Sequence, residues 1–247
     1  MENQKKPYLT YFFISIFVII FFIQLISTFF YGEDFLDGIF YNYGFSLQGI
    51  LDGKFETFLT SVFLHGGASH LFLNMIALFF FGRVVENGLG KKKFLLIFLS
   101  SAIVGNMAIL TMSLLGFYSV VIPTIGASAA IFGLLGAAML VKPFEFILYP
   151  YLIPIPLIMV ALVYTLYNIA SFILVLTTAT ASNISYISHI GGLAAGMLFG
   201  FKEEGSRKGL IVLLFLLLLL ILTPFMFMLL NYLEIFNYVN VLSQVIK

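Results

Sequence analysis

The sequence predicts an all-α, polytopic transmembrane helical bundle. Three observations carry that prediction. Of 247 residues, 62% are hydrophobic and only 9% charged, whereas water-soluble domains are roughly half apolar and a quarter charged. The few charges leave runs long enough to cross a bilayer, and basic residues gather at alternate ends of those runs. A mean hydropathy of +1.11 agrees. The 12 Lys and Arg against 11 Asp and Glu leave a net charge of +1, which excludes a disordered tail or a basic nucleic-acid-binding surface. With no cysteine, disulfides, thiol catalysis and cysteine metal sites are excluded too.

Charge-free runs cover residues 7–32, 57–82, 94–141, 146–201 and 209–233. A spanning helix takes about 20 apolar residues. The runs therefore hold seven spans, at 8–30, 62–82, 94–116, 126–141, 148–174, 187–201 and 209–230. The first is too long for a signal-peptide core and ends without a small-residue cleavage site, so it is expected to stay. Placing Lys5 and Lys6 in the cytoplasm puts ten of the twelve basic residues on that side. Only Lys54 and Lys247 fall outside. The expected protein is thus a multi-pass protein of the cell membrane, N-terminus cytoplasmic and C-terminus external. Residues 31–57 form the one long connection, too apolar for a solvated linker and expected to lie in the membrane interface. The leucine run from Leu214 to Leu220 reads as lipid-facing. Nothing divides the chain, so 1–247 is expected to be a single domain.

Polar residues within spans are the functional candidates, because hydrocarbon penalises them unless they are paired or used. They form three clusters. The second span opens with FLHGGASHLFLNM, giving His65, His70 and Asn74, the last two one turn apart on one face. The fourth opens with GASAAIFG around Ser128. The sixth opens with SHIGGLAAGMLFG, where His189 precedes Gly192, Gly196 and Gly200. His70, Ser128 and His189 lie 13, 14 and 13 residues before the basic residues Arg83, Lys142 and Lys202. At 1.5 Å per residue each is about 20 Å from its anchor. All three thus share one level, roughly 10 Å below the outer face of a 30 Å hydrocarbon core.

Small residues let helices approach closely. If the Gly192, Gly196, Gly200 ridge packs against the strip of Ala129, Gly133 and Gly136, Ser128 meets His189 as nucleophile and general base. No Asp or Glu lies between Lys93 and Lys142 or between Glu145 and Lys202, so a Ser-His dyad is expected, with Phe132 stacking on the imidazole. The Ser128 amide, His70 and Asn74 are the expected donors to an oxyanion. No cofactor is called for. Three histidines invite comparison with a zinc site, but H-E-x-x-H is absent and no carboxylate shares the level.

These motifs resemble those of the rhomboid family of intramembrane serine proteases. HGGASHLFLN is similar to the family's second-helix pattern, GASAAIFG to its G-x-S motif, and SHIGGLAAG to its A-H-x-x-G-x-x-x-G motif. The resemblance implies a six-helix rhomboid-like core over about 8–201 with an extra seventh helix at about 209–230. It also implies a serine endopeptidase acting on transmembrane protein substrates within the lipid bilayer, entering between the second and fifth spans. Carried over residue by residue, it makes Ser128 the nucleophile, His189 its base, His70 and Asn74 the oxyanion side chains, and His65 a supporting residue. Gly82 and Glu86 match a G-x-x-x-E pattern. Three departures stand out. Ala129 replaces the usual Gly and is expected to crowd the oxyanion pocket, Glu56 and Thr57 stand where a Trp-Arg pair is often found, and Phe132 replaces a frequent Tyr.

Asn106 and Asn168 are assigned to helix packing, and Glu86 with Arg83 to the polar inner boundary. His65 divides evenly between structural and functional roles. The alternative for the whole chain is a catalytically silent rhomboid-like protein that binds membrane helices without cutting them.

Overall fold

In hydrocarbon a backbone must satisfy its own hydrogen bonds, so long apolar runs become helices. The computed structural model describes residues 6–148, 154–178 and 184–204. The expected seventh span at 209–230 lies outside the described residues, as do Lys5, Arg207, Lys208 and Lys247. In chain order come α1 (Tyr8–Tyr31), α2 (Glu33–Tyr43), α3 (Leu47–Leu51), α4 (Thr57–Thr60), a 3-10 turn (Ser61–Phe63) and α5 (Ala68–Ala77). A π-turn (Leu78–Gly82) joins α5 to α6 (Arg83–Leu89), followed by α7 (Lys91–Leu114) and α8 (Ser128–Val141). An antiparallel hairpin of β1 (Phe146–Leu148) and β2 (Pro154–Pro156) leads to α9 (Leu157–Thr178) and α10 (Tyr186–Glu204). The chain is an all-α polytopic membrane bundle. Among the described residues four helices are long and apolar enough to cross a membrane: Tyr8–Tyr31, Ala68–Leu89, Lys91–Leu114 and Leu157–Val175.

Three expectations need correction. The second span does not run over 62–82. Gly66 and Gly67 delay its start to Ala68, and it continues through Arg83 to Leu89. Glu86 does not mark a polar boundary with Arg83. It is buried and caps α1, accepting from Leu9 N at 2.9 Å, Thr10 N at 2.8 Å and Thr10 Oγ1 at 2.9 Å. Gly82 makes the cap possible, since a Cβ there would sit 3.0 Å from the Thr10 side chain. The fifth span begins at Leu157 rather than 148. Pro154 and Pro156 lack the amide a helix needs and sit in a β-strand instead. The long connection over 31–57 is largely helical, in α2, α3 and the start of α4.

Helices α7, α8 and α10 pack as the centre. A Cβ on Gly192 would lie 2.0 Å from Ala129 O, one on Gly196 1.8 Å from Gly133 O, and one on Gly200 3.0 Å from Ala137 O. The glycine ridge therefore rests on the backbone of α8, as the small-residue pattern predicts. The matching strip is Ala129, Gly133 and Ala137, residues four apart. Gly136 lies on an adjoining line, facing Leu193 O and Met197 N. Around this centre α1 packs by aromatic rings, with Phe13 against Phe94 and Phe98, and Phe17 against Phe98 and Phe63.

Candidate active site

α8 has only 14 residues, about 21 Å, against 24 residues in α1 and α7. Its start is reached by an extended segment that two contacts pin from outside. Phe45 and Thr124 exchange both backbone bonds, at 2.9 and 2.7 Å, and Gly126 N donates to Ser61 O at 2.9 Å. Gly126 has φ +117, a conformation L side chains rarely adopt. Ser128 follows as the first residue of α8. The carbonyl four residues back, Thr124 O, is occupied by Phe45 N. A first-turn amide has no intrahelical partner, and among the described residues no loop carbonyl accepts from Ser128 N either.

Ser128 Oγ lies 2.7 Å from His189 Nε2. The glycine contacts bring these two residues together from helices whose sequences are 61 positions apart. Phe132 stacks on the imidazole at 4.4 Å between centroids and 7° between planes, as its position one turn after Ser128 predicts. Tyr186 meets the same ring edge-on at 6.4 Å. His189 is buried and Ser128 half-buried.

His70 and Asn74 reach the site from α5. A Cβ on Gly126 would stand 2.7 Å from His70 Cε1, 2.8 Å from His70 Nε2 and 3.7 Å from Asn74 Nδ2. Both side chains thus face the backbone two residues before Ser128. Asn74 Nδ2 is buried, with no hydrogen-bond partner among the described residues. An unmet buried donor costs about 1 to 3 kcal/mol, so a site that keeps one invites an acceptor. His65 is set back from the site. It is 1% exposed, edge-on to Phe17 at 5.7 Å and to His70 at 5.2 Å. Gln24 of α1 grips its backbone, accepting from His65 N at 3.2 Å and donating to His65 O at 3.0 Å. Among the described residues no group of three His, Cys, Asp or Glu could hold a metal ion.

Two assignments change on this geometry. The Ala129 methyl does not crowd the pocket. It turns towards α7, where a Cβ on Gly105 would be only 2.6 Å from it. Asn168 is not a packing residue alone: its Oδ1 lies 2.6 Å from His189 Nδ1. Sequence reading misses it because one Asn in a charge-free span looks like any other. Asn106 looks the same, and it only ties α7 to Phe58 O at 3.0 Å and Ser61 Oγ at 3.2 Å.

Comparison with known proteins gives the same picture. The Rhomboid domain model matches residues 52–204. A Bacillus subtilis (strain 168) protein named "Putative rhomboid protease YdcA" is similar, 33% identical over 158 residues, which are 64% of this chain and 71% of that one. Rhomboid protease GluP of the same organism is 30% identical over 195 residues, 78% of this chain but only 34% of its own length. Inactive RHOMBOID-like protein 8 of Arabidopsis thaliana is 38% identical over 82 residues, 33% of this chain and 21% of that one. With more than half of its length matched by the family model and the family's motifs gathered at one site, the chain belongs to the rhomboid family.

Proposed function

We propose that this chain is an intramembrane serine endopeptidase that hydrolyses peptide bonds of membrane-anchored proteins. Family membership supports an intramembrane-protease-like function. The observation that carries the finer reading is the 2.7 Å approach of Ser128 Oγ to His189 Nε2. In the reaction His189 Nε2 takes the Ser128 hydroxyl proton as Oγ attacks the scissile carbonyl carbon. Negative charge then develops on the carbonyl oxygen, where Ser128 N–H, Asn74 Nδ2 and His70 donate to it. The tetrahedral intermediate collapses to an acyl-enzyme, and the leaving amine receives the proton from His189. Water, deprotonated by the same base, releases the acid. The base works only as neutral imidazole, so turnover falls on acidification. The basic-residue pattern supports a cytoplasmic N-terminus in a cell membrane and cleavage in the outer half of the bilayer.

The test is labelling by a serine-directed fluorophosphonate alongside cleavage of a model transmembrane substrate in detergent. Wild type labels, Ser128→Ala does not, and Ser128→Ala and His189→Ala each lose cleavage while staying folded. The double variant is little worse than either single one, because the two residues act as a unit. Cleavage retained by purified Ser128→Ala rules the mechanism out. A wild-type chain that neither labels nor cleaves, yet holds transmembrane peptides, is the silent binder instead.

A further inference from the structure

Stacking on Phe132 fixes the plane of the His189 ring and leaves two questions open: which nitrogen faces Ser128, and which nitrogen carries the proton. A half-turn of the ring about its bond to the chain keeps the stack intact. The two nitrogens are distinguished by their hydrogen bonds, and the partner of Nδ1 is Asn168.

Asn168 sits on α9, buried, and both ends of its amide are engaged. Nδ2 donates to Tyr164 O, one turn back on the same helix, at 2.8 Å. A carbonyl oxygen can only accept, so the atom facing Tyr164 O is the NH2 nitrogen and the atom facing His189 is the oxygen. Were the amide reversed, two lone-pair-bearing oxygens would stand 2.8 Å apart. Oδ1 in turn can only accept, so Nδ1 of His189 must carry the hydrogen. The neutral ring has one N–H. Nε2 is therefore the bare nitrogen, directed at the Ser128 hydroxyl.

We propose that Asn168 is a positioning residue that holds His189 in the Nδ1–H tautomer and turns the dyad into a Ser-His-Asn relay drawn from α8, α10 and α9. This rests on the reading of Ser128 and His189 given above. In the Ser-His-Asp triad a buried carboxylate has this place. Here α7 to α10 supply no Asp or Glu at this depth, and a neutral amide oxygen does the work without a buried charge. It also supports the imidazolium that forms when Ser128 gives up its proton, since Nδ1–H donates to it in both protonation states.

Among the described residues the titratable side chains nearest His189 are Tyr186 on its own helix, which meets the ring edge-on, and His70 on α5, with Tyr164 of α9 against Phe132, and Tyr167 of α9 and Tyr118 of the loop before α8 beside Tyr186. α8 carries none. Lys91, Lys92 and Lys93 of α7 stand at the far end, where Lys93 pairs with Glu203.

The test measures kcat and KM for a model transmembrane substrate across pH for the full chain in detergent, with wild type, Asn168→Leu and Asn168→Asp compared at equal folded fraction. Leucine keeps the volume and removes the acceptor. Its kcat should fall by about 10² with KM within roughly twofold, the scale of losing an oriented base. Aspartate restores the acceptor and adds a charge that favours imidazolium. It should keep turnover at high pH within about tenfold, with the acid limb of kcat/KM moved up by about one pH unit or more. A wild-type kcat in Asn168→Leu overturns the proposal, as does an acid limb in Asn168→Asp that coincides with wild type. If Asn168→Leu fails to fold, the aspartate limb decides alone. Activity in Ser128→Ala would instead strike at the serine reading itself, whereas an inactive Ser128→Ala beside a fully active Asn168→Leu would remove only the relay.

Discussion

Two interfaces in this bundle hold helices together by opposite means. Between α8 and α10 the contact is backbone on backbone, with Gly192 and Gly196 seated on the carbonyls of Ala129 and Gly133. Between α1 and α7 it is ring on ring, Phe13 and Phe17 against Phe94 and Phe98 at 4.7 to 6.3 Å. Lipid tails are as apolar as side chains, so neither interface gains from excluding water and both rest on packing. The difference lies in what they tolerate. Rings on flexible side chains shift and refill space, whereas two backbones in contact fix the separation and the register of their helices. The fixed interface is the one that carries Ser128 and His189, where a misplacement of about 1 Å can cost roughly 10²-fold in rate.

The largest expected effect comes from breaking the rigid side. A methyl on Gly196 would sit 1.8 Å from Gly133 O, and a carbonyl cannot turn aside. Overpacking typically costs about 1 to 3 kcal/mol, and Gly196→Ala should reach the top of that range and lose most fluorophosphonate labelling. Labelling at the wild-type rate would show that the register is not what assembles the site. Next comes Asn74→Ala, which separates chemistry from register. It should lower kcat by roughly 10² to 10³ with KM little changed and the fold intact, and an unaltered kcat would remove Asn74 from the oxyanion site. On the tolerant side, Phe98→Leu should cost less than about 1.5 kcal/mol, as near-volume-conserving swaps do. Its melting temperature should drop by about 2 to 6 °C. Labelling should persist, and its loss would mean that the aromatic side also sets the site. The smallest effect is that of Ala129→Gly. Because the methyl faces Gly105, the labelling rate should stay within about twofold while helix stability drops by about 0.5 to 1 kcal/mol. A marked rise in rate would put that methyl in the pocket after all.

Much of this site is legible in the sequence for a specific reason. Ser128 and His189 stand at matched distances from basic anchors, and their helices carry small residues at helical spacing, so their approach follows from counting. Phe132 follows from its place one turn after Ser128. Asn168 is illegible by the same means, because nothing in YTLYNIAS separates an orienting amide from a packing one until the imidazole is seen 2.6 Å away. Glu86 misleads for a related reason. Counting charges places a span end at Arg83, yet a carboxylate that meets three donors is at home in a helix interface. The hairpin before α9 is hidden by composition, since residues 146–156 are as apolar as a span and only the prolines tell against helix.

The Glu86 cap also bears on the order of biosynthesis. Leu9 and Thr10 leave the ribosome early, and the carboxylate that completes their turn is made 76 positions after Thr10. At roughly 5 to 20 residues per second that is a wait of about 4 to 15 s. During that interval the first helix lacks its cap, and it gains one only when the second span has crossed back to the same face. The cap can thus form only once two successive passes run in opposite directions and bring Glu86 level with Leu9 and Thr10.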